Sequence, residues 1–322
     1  MAELFLVQAI TLGLKQEMER DPDVIILGED VGVNGGVFRA TEGLYKQFGA
    51  ERVVDCPLAE SGIIGSAIGL AMGGMKPIPE IQFDGFLGPA YDQITTHAAR
   101  FRTRTRGRFT CPLTIRVPVG GGIHAPELHS DSPEAVYTHT PGLKVVMPSS
   151  PYDAKGLLIS AIRDPDPVIF FEPKRIYRAF REEVPEEEYT VPIGQANVIE
   201  QGTDVTVISW GASVIQCLNA LDETELSVEL IDLRTMYPFD LETICQSVSK
   251  TGRAVIVHEA PLTCGLGAEL SARIQEECFG YLEAPVQRVA GFDTVMPYYK
   301  LELDYLPNAR RVKEAVETVA QY

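Results

Sequence analysis

Short runs of β-branched and aromatic residues alternate with helical patterns along the whole of this 322-residue chain. The runs predict strands at 24–27, 52–55, 78–83, 113–117, 144–147, 167–171, 204–209, 227–233 and 254–258. Helical patterns lie near 6–20, 39–48, 61–75, 89–104, 132–139, 151–163, 212–224, 240–250, 266–279 and 308–320. Because strands that alternate with helices form βαβ units, we expect an α/β fold with mainly parallel sheets. Functional residues of such sheets lie at the carboxyl ends of the strands.

The length of the chain exceeds that of one ordinary core and therefore predicts two domains. The alternation is interrupted between Glu172 and Gly194, where prolines and acidic residues cluster as in a linker. We therefore place one domain at 1–180, an acidic linker at 181–193 and a second domain at 194–322.

The charge of the chain is strongly negative and unevenly distributed. The net charge is −17, of which −3 belongs to residues 1–180 and −14 to residues 181–322. An acidic protein is a poor partner for nucleic acid. The uneven distribution favours a basic protein partner for the second half, and general solubility is the alternative explanation. The basic run at 100–108 is interpreted as an anchor for carboxylates of a neighbouring subunit.

Several other classes of protein are disfavoured by missing signals. The longest apolar run, at 62–75, is too short and too rich in glycine for a membrane span, and the N-terminus lacks a basic signal-peptide region. The six scattered cysteines form no Cys-x-x-Cys pair, which indicates reduced thiols and a cytoplasmic location. No dinucleotide fingerprint, P-loop, nucleophile elbow or zinc-protease motif is present.

Glu60 opens a stretch that contains no other charge before Lys76. The glycines of this stretch, Gly62, Gly65 and Gly69, suit a helix whose backbone is approached closely by a neighbour or a ligand. A carboxyl group in apolar surroundings can share a proton with a bound ring nitrogen. The alternative is a glutamate that stabilises the first turn of a helix, and the residues alone favour this second interpretation.

A glycine-rich loop at 120–134 carries a second group of polar residues, His124, Glu127, His129 and Asp131. The His-x-x-x-x-His spacing and the missing third ligand disfavour a zinc site. A histidine of this loop can shuttle protons or can hydrogen-bond within the loop, and the sequence leaves both interpretations open.

Ten short motifs give the chain an end-to-end resemblance to one family. They are Leu27-Gly-Glu-Asp-Val, Gly36-Val-Phe-Arg, Pro57-Leu-Ala-Glu-Ser-Gly, Pro79-Glu-Ile-Gln-Phe, His129-Ser-Asp-Ser-Pro-Glu, Pro141-Gly-Leu-Lys-Val-Val, Pro151-Tyr-Asp-Ala-Lys-Gly-Leu-Leu, Asp232-Leu-Arg-Thr, Lys250-Thr-Gly-Arg and His258-Glu-Ala-Pro. The chain resembles the β subunit of the thiamin-diphosphate-dependent decarboxylase component of 2-oxo acid dehydrogenase complexes. The resemblance implies a pyrimidine-binding parallel-sheet domain followed by a transketolase-like C-terminal α/β domain.

The resemblance also implies roles for individual residues. Glu60 matches the glutamate that hydrogen-bonds the aminopyrimidine ring of thiamin diphosphate and promotes its imino tautomer. Phe86 matches the aromatic residue that stacks on this ring, and His129 matches a histidine that assists acyl transfer to lipoamide. Three further positions match the lining of the pyrimidine pocket: Glu29, Leu58 and Gln82. Many relatives have glutamine where this chain has Asp131, which leaves the role of Asp131 open.

The activity implied by the resemblance is decarboxylation of a 2-oxo acid and reductive acylation of a lipoyl group on an acyltransferase component. Some motifs are typical of pyruvate dehydrogenase and others of the branched-chain enzyme, and we favour pyruvate, with acetoin as a further alternative. A nicotinamide or flavin oxidoreductase is disfavoured by the absent glycine fingerprint. A non-catalytic scaffold is disfavoured because Glu60, Phe86 and His129 are all present.

The family binds the diphosphate and Mg²⁺ through a Gly-Asp-Gly motif, which this chain lacks. The resemblance therefore implies an α subunit that supplies this half of the site, in a heterotetramer of two α and two β subunits. It also implies docking of the acidic C-terminal part on a small basic domain of the acyltransferase. Five positions match a structural potassium site of some relatives: Leu113, Thr114, Ala161, Asp164 and Asp166.

Overall fold

The computed structural model describes residues 1–297 and 299–322, and its elements follow the alternation of the sequence. The strands are β1 Ala2–Phe5, β2 Val24–Gly28, β3 Val53–Asp55, β4 Lys76–Glu80, β5 Thr114–Val119, β6 Lys144–Val146, β7 Val168–Pro173, β8 Arg181–Val184, β9 Asn197–Glu200, β10 Val205–Ser209, β11 Val228–Asp232, β12 Thr235–Tyr237, β13 Ala254–Pro261 and β14 Gln287–Gly291. The helices are α1 Leu6–Arg20, α2 Leu44–Phe48, α3 Glu60–Met72, α4 Leu87–Asp92, α5 Phe101–Arg104, α6 Glu134–Thr138, α7 Pro151–Arg163, α8 Ser213–Leu221, α9 Leu241–Thr251, α10 Leu266–Cys278, α11 Glu302–Tyr305 and α12 Ala309–Val319.

Two mainly parallel sheets organise the chain. The seven-stranded sheet has the order β12-β6-β7-β5-β4-β2-β3, and the five-stranded sheet has the order β14-β13-β10-β11-β9. Only the edge strands β12 and β9 run antiparallel to their neighbours in these sheets. The predicted α/β fold with mainly parallel sheets is confirmed.

Helices cover both faces of the seven-stranded sheet. Helices α1 and α7 pack on each other across one face, where Ile10 and Leu157 join the core with Phe170 of β7. On the other face α3 contributes Ile64, and the core continues without a break to Trp210, which follows β10 in the second sheet. The two sheets are therefore joined by one continuous hydrophobic core, although the sequence separates them.

Local predictions fail where long-range pairing or backbone conformation decides the structure. The sequence predicts no strand before the helix at 6–20, but Ala2–Phe5 form a strand that pairs with β8. The helix predicted at 39–48 begins only at Leu44, because Arg39 and Gly43 have positive φ angles of 66° and 82°.

The acidic segment at 181–193 is tied to β1, with which it forms a separate two-stranded sheet, and to α7. Its first residues, Arg181–Val184, pair with β1, and the ammonium group of Lys155 donates to the carbonyl oxygens of Pro185 at 2.6 Å and of Glu187 at 2.8 Å. The domain boundaries drawn on either side of this segment stay a prediction. Within the two ranges that the structure describes, every helix is too short or too polar to cross a membrane.

Candidate active site

Three of the predicted pocket residues lie where β2, β3 and β4 end. These strands are parallel neighbours, so their carboxyl ends meet at one edge of the sheet. Glu29 directly follows β2, Glu60 begins α3 after β3, and Gln82 follows β4. The side-chain amide of Gln82 lies 3.5 Å from the carbonyl oxygen of Glu29. The fold therefore places Glu29, Glu60 and Gln82 at the same edge.

Glu29 and Glu60 form a pair of buried carboxyl groups. Burial raises the pKa of Glu29, and the negative charges of Glu60 and Asp30 raise it further, so Glu29 keeps its proton to a higher pH than a free glutamate. The Glu60 side chain is only 6% exposed, and among the described residues none hydrogen-bonds or ion-pairs with its carboxyl group. A buried carboxyl group without a partner is available to a ligand.

Phe86 and His129 lie together although 43 positions separate them in the chain. Phe86 ends a short 3₁₀ helix, Asp84–Phe86, and the His129 ring centroid lies 5.1 Å from that of Phe86 and 4.2 Å from that of Phe83. His129 Nδ1 lies 2.8 Å from the carbonyl oxygen of Glu127. Because a carbonyl oxygen only accepts, Nδ1 carries the hydrogen in this bond, which leaves Nε2 for a second partner.

Gly85 brings the loop of His129 close to Phe86. Its N–H donates to the carbonyl oxygen of Leu128 at 3.2 Å. A Cβ atom at position 85 would lie 2.6 Å from the Leu128 Cβ and would collide with the same carbonyl oxygen. A glycine is therefore required at this close approach.

Leu58, the remaining predicted pocket residue, projects into solvent. Its side chain is 79% exposed, and Val33, in the loop after β2, is 76% exposed. The two loops meet because the N–H groups of Gly32 and Val33 donate to Asp55 at 2.6 and 3.2 Å. Exposed apolar side chains grouped beside a site are typical of a surface that another chain covers.

Buried ion pairs next to the site were not predicted from the sequence. Lys174 Nζ lies 2.5 Å from the Asp84 carboxylate and 3.3 Å from the carbonyl oxygen of Pro118. Burial raises the pKa of Asp84 to about 6, although the charge of Lys174 acts in the opposite direction. Deeper in the sheet, Arg116 binds Glu80 and Glu172, each at 2.6 Å. The signal in the sequence was Glu172-Pro-Lys174, polar residues directly after an apolar strand.

The two histidines of the glycine-rich loop point to different partners. His124 Nδ1 lies 2.7 Å from the Glu302 carboxylate, whereas His129 packs on aromatic rings. Within residues 1–297 and 299–322, no group of three or more His, Cys, Asp or Glu side chains is arranged to hold a metal ion. The carbonyl oxygen of Asp131 accepts the N–H of Gly120 at 2.8 Å, so the main chain of Asp131 closes the neck of the loop.

The positions suggested for potassium lie near the start of β5 and the end of α7. They are Leu113, Thr114, Ala161, Asp164 and Asp166. The ammonium group of Lys144 lies 2.6 Å from the Asp164 carboxylate, and Arg102 Nε lies 2.7 Å from that of Asp166. Both acidic side chains therefore have a cationic partner within the chain, and Arg102 belongs to the basic run at 100–108. Binding of potassium stays a prediction.

Comparisons with known proteins cover the whole chain. The profile "Transketolase, pyrimidine binding domain" matches residues 3–179, and "Transketolase, C-terminal domain" matches residues 194–312. The pyruvate dehydrogenase E1 component subunit beta of Bacillus subtilis is 53% identical, and those of Staphylococcus epidermidis and Staphylococcus aureus are 52% and 53% identical. Each alignment covers 100% of both chains. The chain belongs to this family of E1 beta subunits.

A solved structure shows that the E1 beta chain shares its fold with a more distant protein. The structure described as a split gene transketolase, inactive beta4 tetramer, aligns with a TM-score of 0.80 and 23% identity, and the alignment covers 99% of both chains. The predicted family and the transketolase-like fold are thus confirmed.

Proposed function

We propose that this chain is the β subunit of a thiamin-diphosphate-dependent pyruvate dehydrogenase. With its α subunit it decarboxylates pyruvate oxidatively and transfers the acetyl group to a lipoyl group of an acyltransferase component. The observation that carries this proposal is the identity of 52–53%, over the full length, to three chains named as pyruvate dehydrogenase E1 beta subunits. These names also favour pyruvate over branched-chain 2-oxo acids and over acetoin.

The residues at the sheet edge fit the pyrimidine end of thiamin diphosphate. This cofactor, when bound, supplies the electron sink for loss of CO₂. The carboxyl group of Glu60 is buried and unpaired among the described residues, so it can hold a proton at a ring nitrogen. Burial and the charges of Glu60 and Asp30 raise the pKa of Glu29 beside it. Phe86 offers an aromatic ring at the same edge. The side-chain amide of Gln82 contacts the main chain of Glu29.

His129 is suited to the transfer step. Its Nδ1 is engaged by the Glu127 carbonyl oxygen, so Nε2 can exchange a proton with a lipoyl sulfur atom. The His129 ring lies against Phe83 and Phe86, and Phe86 is the residue proposed to stack on the cofactor.

An α subunit completes the site in this proposal. The chain has no Gly-Asp-Gly motif for the diphosphate and Mg²⁺, which the α subunit would bind. The outer face of α3 is exposed at Gly62, Ser66 and Gly69, and a Cβ atom at Gly69 would meet no atom within 4 Å. Packing within this chain therefore does not require glycine there, whereas the close approach of a second chain does. Two α and two β subunits would form the heterotetramer.

The acyltransferase component is the second proposed partner. Residues 181–322 carry 10 basic and 24 acidic residues, a net charge of −14. This charge is complementary to a small basic docking domain. All six cysteines are free thiols, which supports the proposed cytoplasmic location.

Reconstitution with the α partner tests the proposed function. The purified chain, thiamin diphosphate and Mg²⁺ are incubated with each substrate, with and without the α subunit, and reduction of an artificial electron acceptor is measured. We expect turnover only with the α subunit, and faster turnover with pyruvate than with 3-methyl-2-oxobutanoate or acetoin. Turnover by the chain alone would contradict the shared site, and inactivity of the assembled enzyme on all three substrates would favour a scaffold.

A further inference from the structure

The loop of residues 120–131, here called the His129 loop, has no regular secondary structure. It joins β5 to the segment before α6, and its neck is closed by the hydrogen bond between Gly120 N–H and the Asp131 carbonyl oxygen. His124 and Leu128 have positive φ angles of 56° and 63°. Residues other than glycine adopt such backbone angles only at a cost in free energy. Contacts from outside must therefore hold this conformation.

Glu302, the first residue of α11, supplies such contacts from the C-terminal part of the chain. Its carboxylate accepts the N–H of Gly122 at 2.6 Å and the N–H of His124 at 2.9 Å. The same carboxylate lies 2.7 Å from His124 Nδ1, and the Glu302 side chain is only 2% exposed. Hydrogen bonds to a buried carboxylate are stronger than those between neutral groups. One side chain thus holds two residues of the loop, Gly122 and His124, through three contacts.

The run Gly120-Gly121-Gly122 lets the backbone of the loop reach this carboxylate. A Cβ atom at Gly121 would lie 2.8 Å from the Met296 Cε atom, and one at Gly122 would lie 2.5 Å from the Arg175 Cδ atom. Side chains at these positions would push the loop away from Glu302. The three glycines therefore serve the contact between the loop and the C-terminal part of the chain.

A cavity lies beneath the middle of the His129 loop. This cavity of about 720 Å³ separates the loop from the C-terminal part, with Pro126, Ser130 and Ser132 on the loop side and Glu259, Asp293 and Tyr305 on the other. The buried Ser130 hydroxyl has no hydrogen-bond partner among the described residues. Glu302 holds the loop near its start, where the Glu259 carboxylate also accepts the N–H of Gly121 at 3.3 Å, and Gly85 contacts the loop next to His129.

We infer that Glu302 is a positioning residue for the transfer step, since it fixes the loop that presents His129 to the lipoyl group. This inference rests on the proposed function. Loss of the carboxylate frees the loop to move into the cavity, so that His129 leaves Phe83 and Phe86. Decarboxylation depends on Glu60, which lies on a different element, and is therefore less affected.

Hydrogen exchange tests the structural half of this inference without an activity assay. Amide exchange of residues 121–131 is measured by mass spectrometry in the assembled enzyme for the wild type, Glu302→Ala and Glu302→Gln. We expect exchange in this segment to rise by about tenfold or more in Glu302→Ala, because both N–H groups lose their acceptor. Glu302→Gln keeps one acceptor oxygen and should show a smaller increase.

Two further variants serve as a second route and as a control. His124→Asn removes the side-chain contact to Glu302 while asparagine tolerates the positive φ angle, so it should raise exchange even if Glu302→Ala fails to fold. Asp304→Asn changes an exposed acid on the same helix and should leave exchange unchanged.

Kinetics test the functional half. For Glu302→Gln and His124→Asn, we expect kcat for acylation of a lipoyl domain to fall several-fold more than decarboxylation measured with an artificial electron acceptor. Unchanged exchange in all three loop variants overturns the inference, as does raised exchange with an unchanged rate of lipoyl acylation. Failure of the proposed function is seen separately, as a wild-type enzyme that releases no CO₂.

Discussion

At the scale of single residues, the site is built from side chains that the rest of the fold leaves unsatisfied. Glu60 lies at the start of α3 and is buried, and in the described chain its carboxyl group has no partner. This carboxyl group lies at the carboxyl edge of a parallel sheet, where ligands bind, and is therefore available to a ligand.

Glu60→Gln should nearly abolish decarboxylation and leave folding and subunit assembly intact. An amide cannot donate and take back a proton, and loss of acid–base help lowers rates by about 10²- to 10⁴-fold. The measurement is CO₂ release by the assembled enzyme, with the exposed Glu51→Gln as a control that keeps the wild-type rate. If the Glu60→Gln enzyme kept more than about a tenth of the wild-type rate, Glu60 would only stabilise the first turn of α3 and would have no catalytic role.

His129→Ala should impair lipoyl acylation more than decarboxylation assayed with an artificial acceptor. The imidazole contacts Phe83 and Phe86 but lies on a different loop from Glu60, so the two steps can be separated. His139→Ala, an exposed histidine after α6, is the matched control and should affect neither rate. Equal losses in the two assays would place His129 in an earlier step or in a structural role.

At the scale of elements, the contact between the 3₁₀ helix at 84–86 and the His129 loop joins the two halves of the proposed chemistry. Phe86 belongs to the first and His129 to the second, and the main chains meet at Gly85 and Leu128. The relative position of the two rings thus depends on a backbone contact that a side chain at residue 85 would prevent.

Gly85→Ala should therefore destabilise the chain and slow acyl transfer. The added methyl group would collide with the Leu128 main chain, and overpacking of this kind costs about 1–3 kcal/mol. Denaturant unfolding and lipoyl acylation are the measurements. Gly88→Ala is the matched control, because a Cβ atom at Gly88 would meet nothing within 4 Å, and alanine favours the helix. Equal stability of the two variants would show that the Leu128 main chain can move away from residue 85 without a cost in stability.

At the scale of the whole molecule, two surfaces differ from the rest. The exposed small residues of α3 and the exposed Leu58 and Val33 border the proposed site, as expected for a surface that the α subunit covers. The second surface is the acidic C-terminal part, residues 181–322, whose charge favours a different, basic partner.

Binding of the acyltransferase docking domain to the assembled enzyme should weaken as salt rises. The Debye length falls from about 10 Å at 0.1 M to about 3 Å at 1 M, so steering by opposite charge is screened. Titration calorimetry over this range should show a Kd that rises by roughly tenfold, while the Tm of the enzyme serves as the control for salt effects on folding. An affinity that does not depend on salt would make the acidity a feature of solubility.

The elements predicted correctly are those whose signal is local. The buried strands β2, β5, β7 and β10 and the amphipathic helices α1 and α7 follow from periodicity and capping, such as Ser150 at the start of α7. The missed strands β1, β8, β9, β12 and β14 lie at sheet edges, where distant pairing decides the structure. Strand β12 even joins the first sheet from the second half of the chain.

By itself, the sequence determined the fold class and the family, and it predicted Glu60, Phe86 and His129 as site residues. Hydrophobic periodicity and the order of motifs can be recognised from the sequence alone. Only the tertiary structure decided which residues meet. It placed Glu29 beside Glu60, closed the His129 loop on Gly85, and brought Glu302 back to Gly122 across 180 positions of the chain. Such contacts depend on how the chain returns on itself, which no spacing in the sequence encodes.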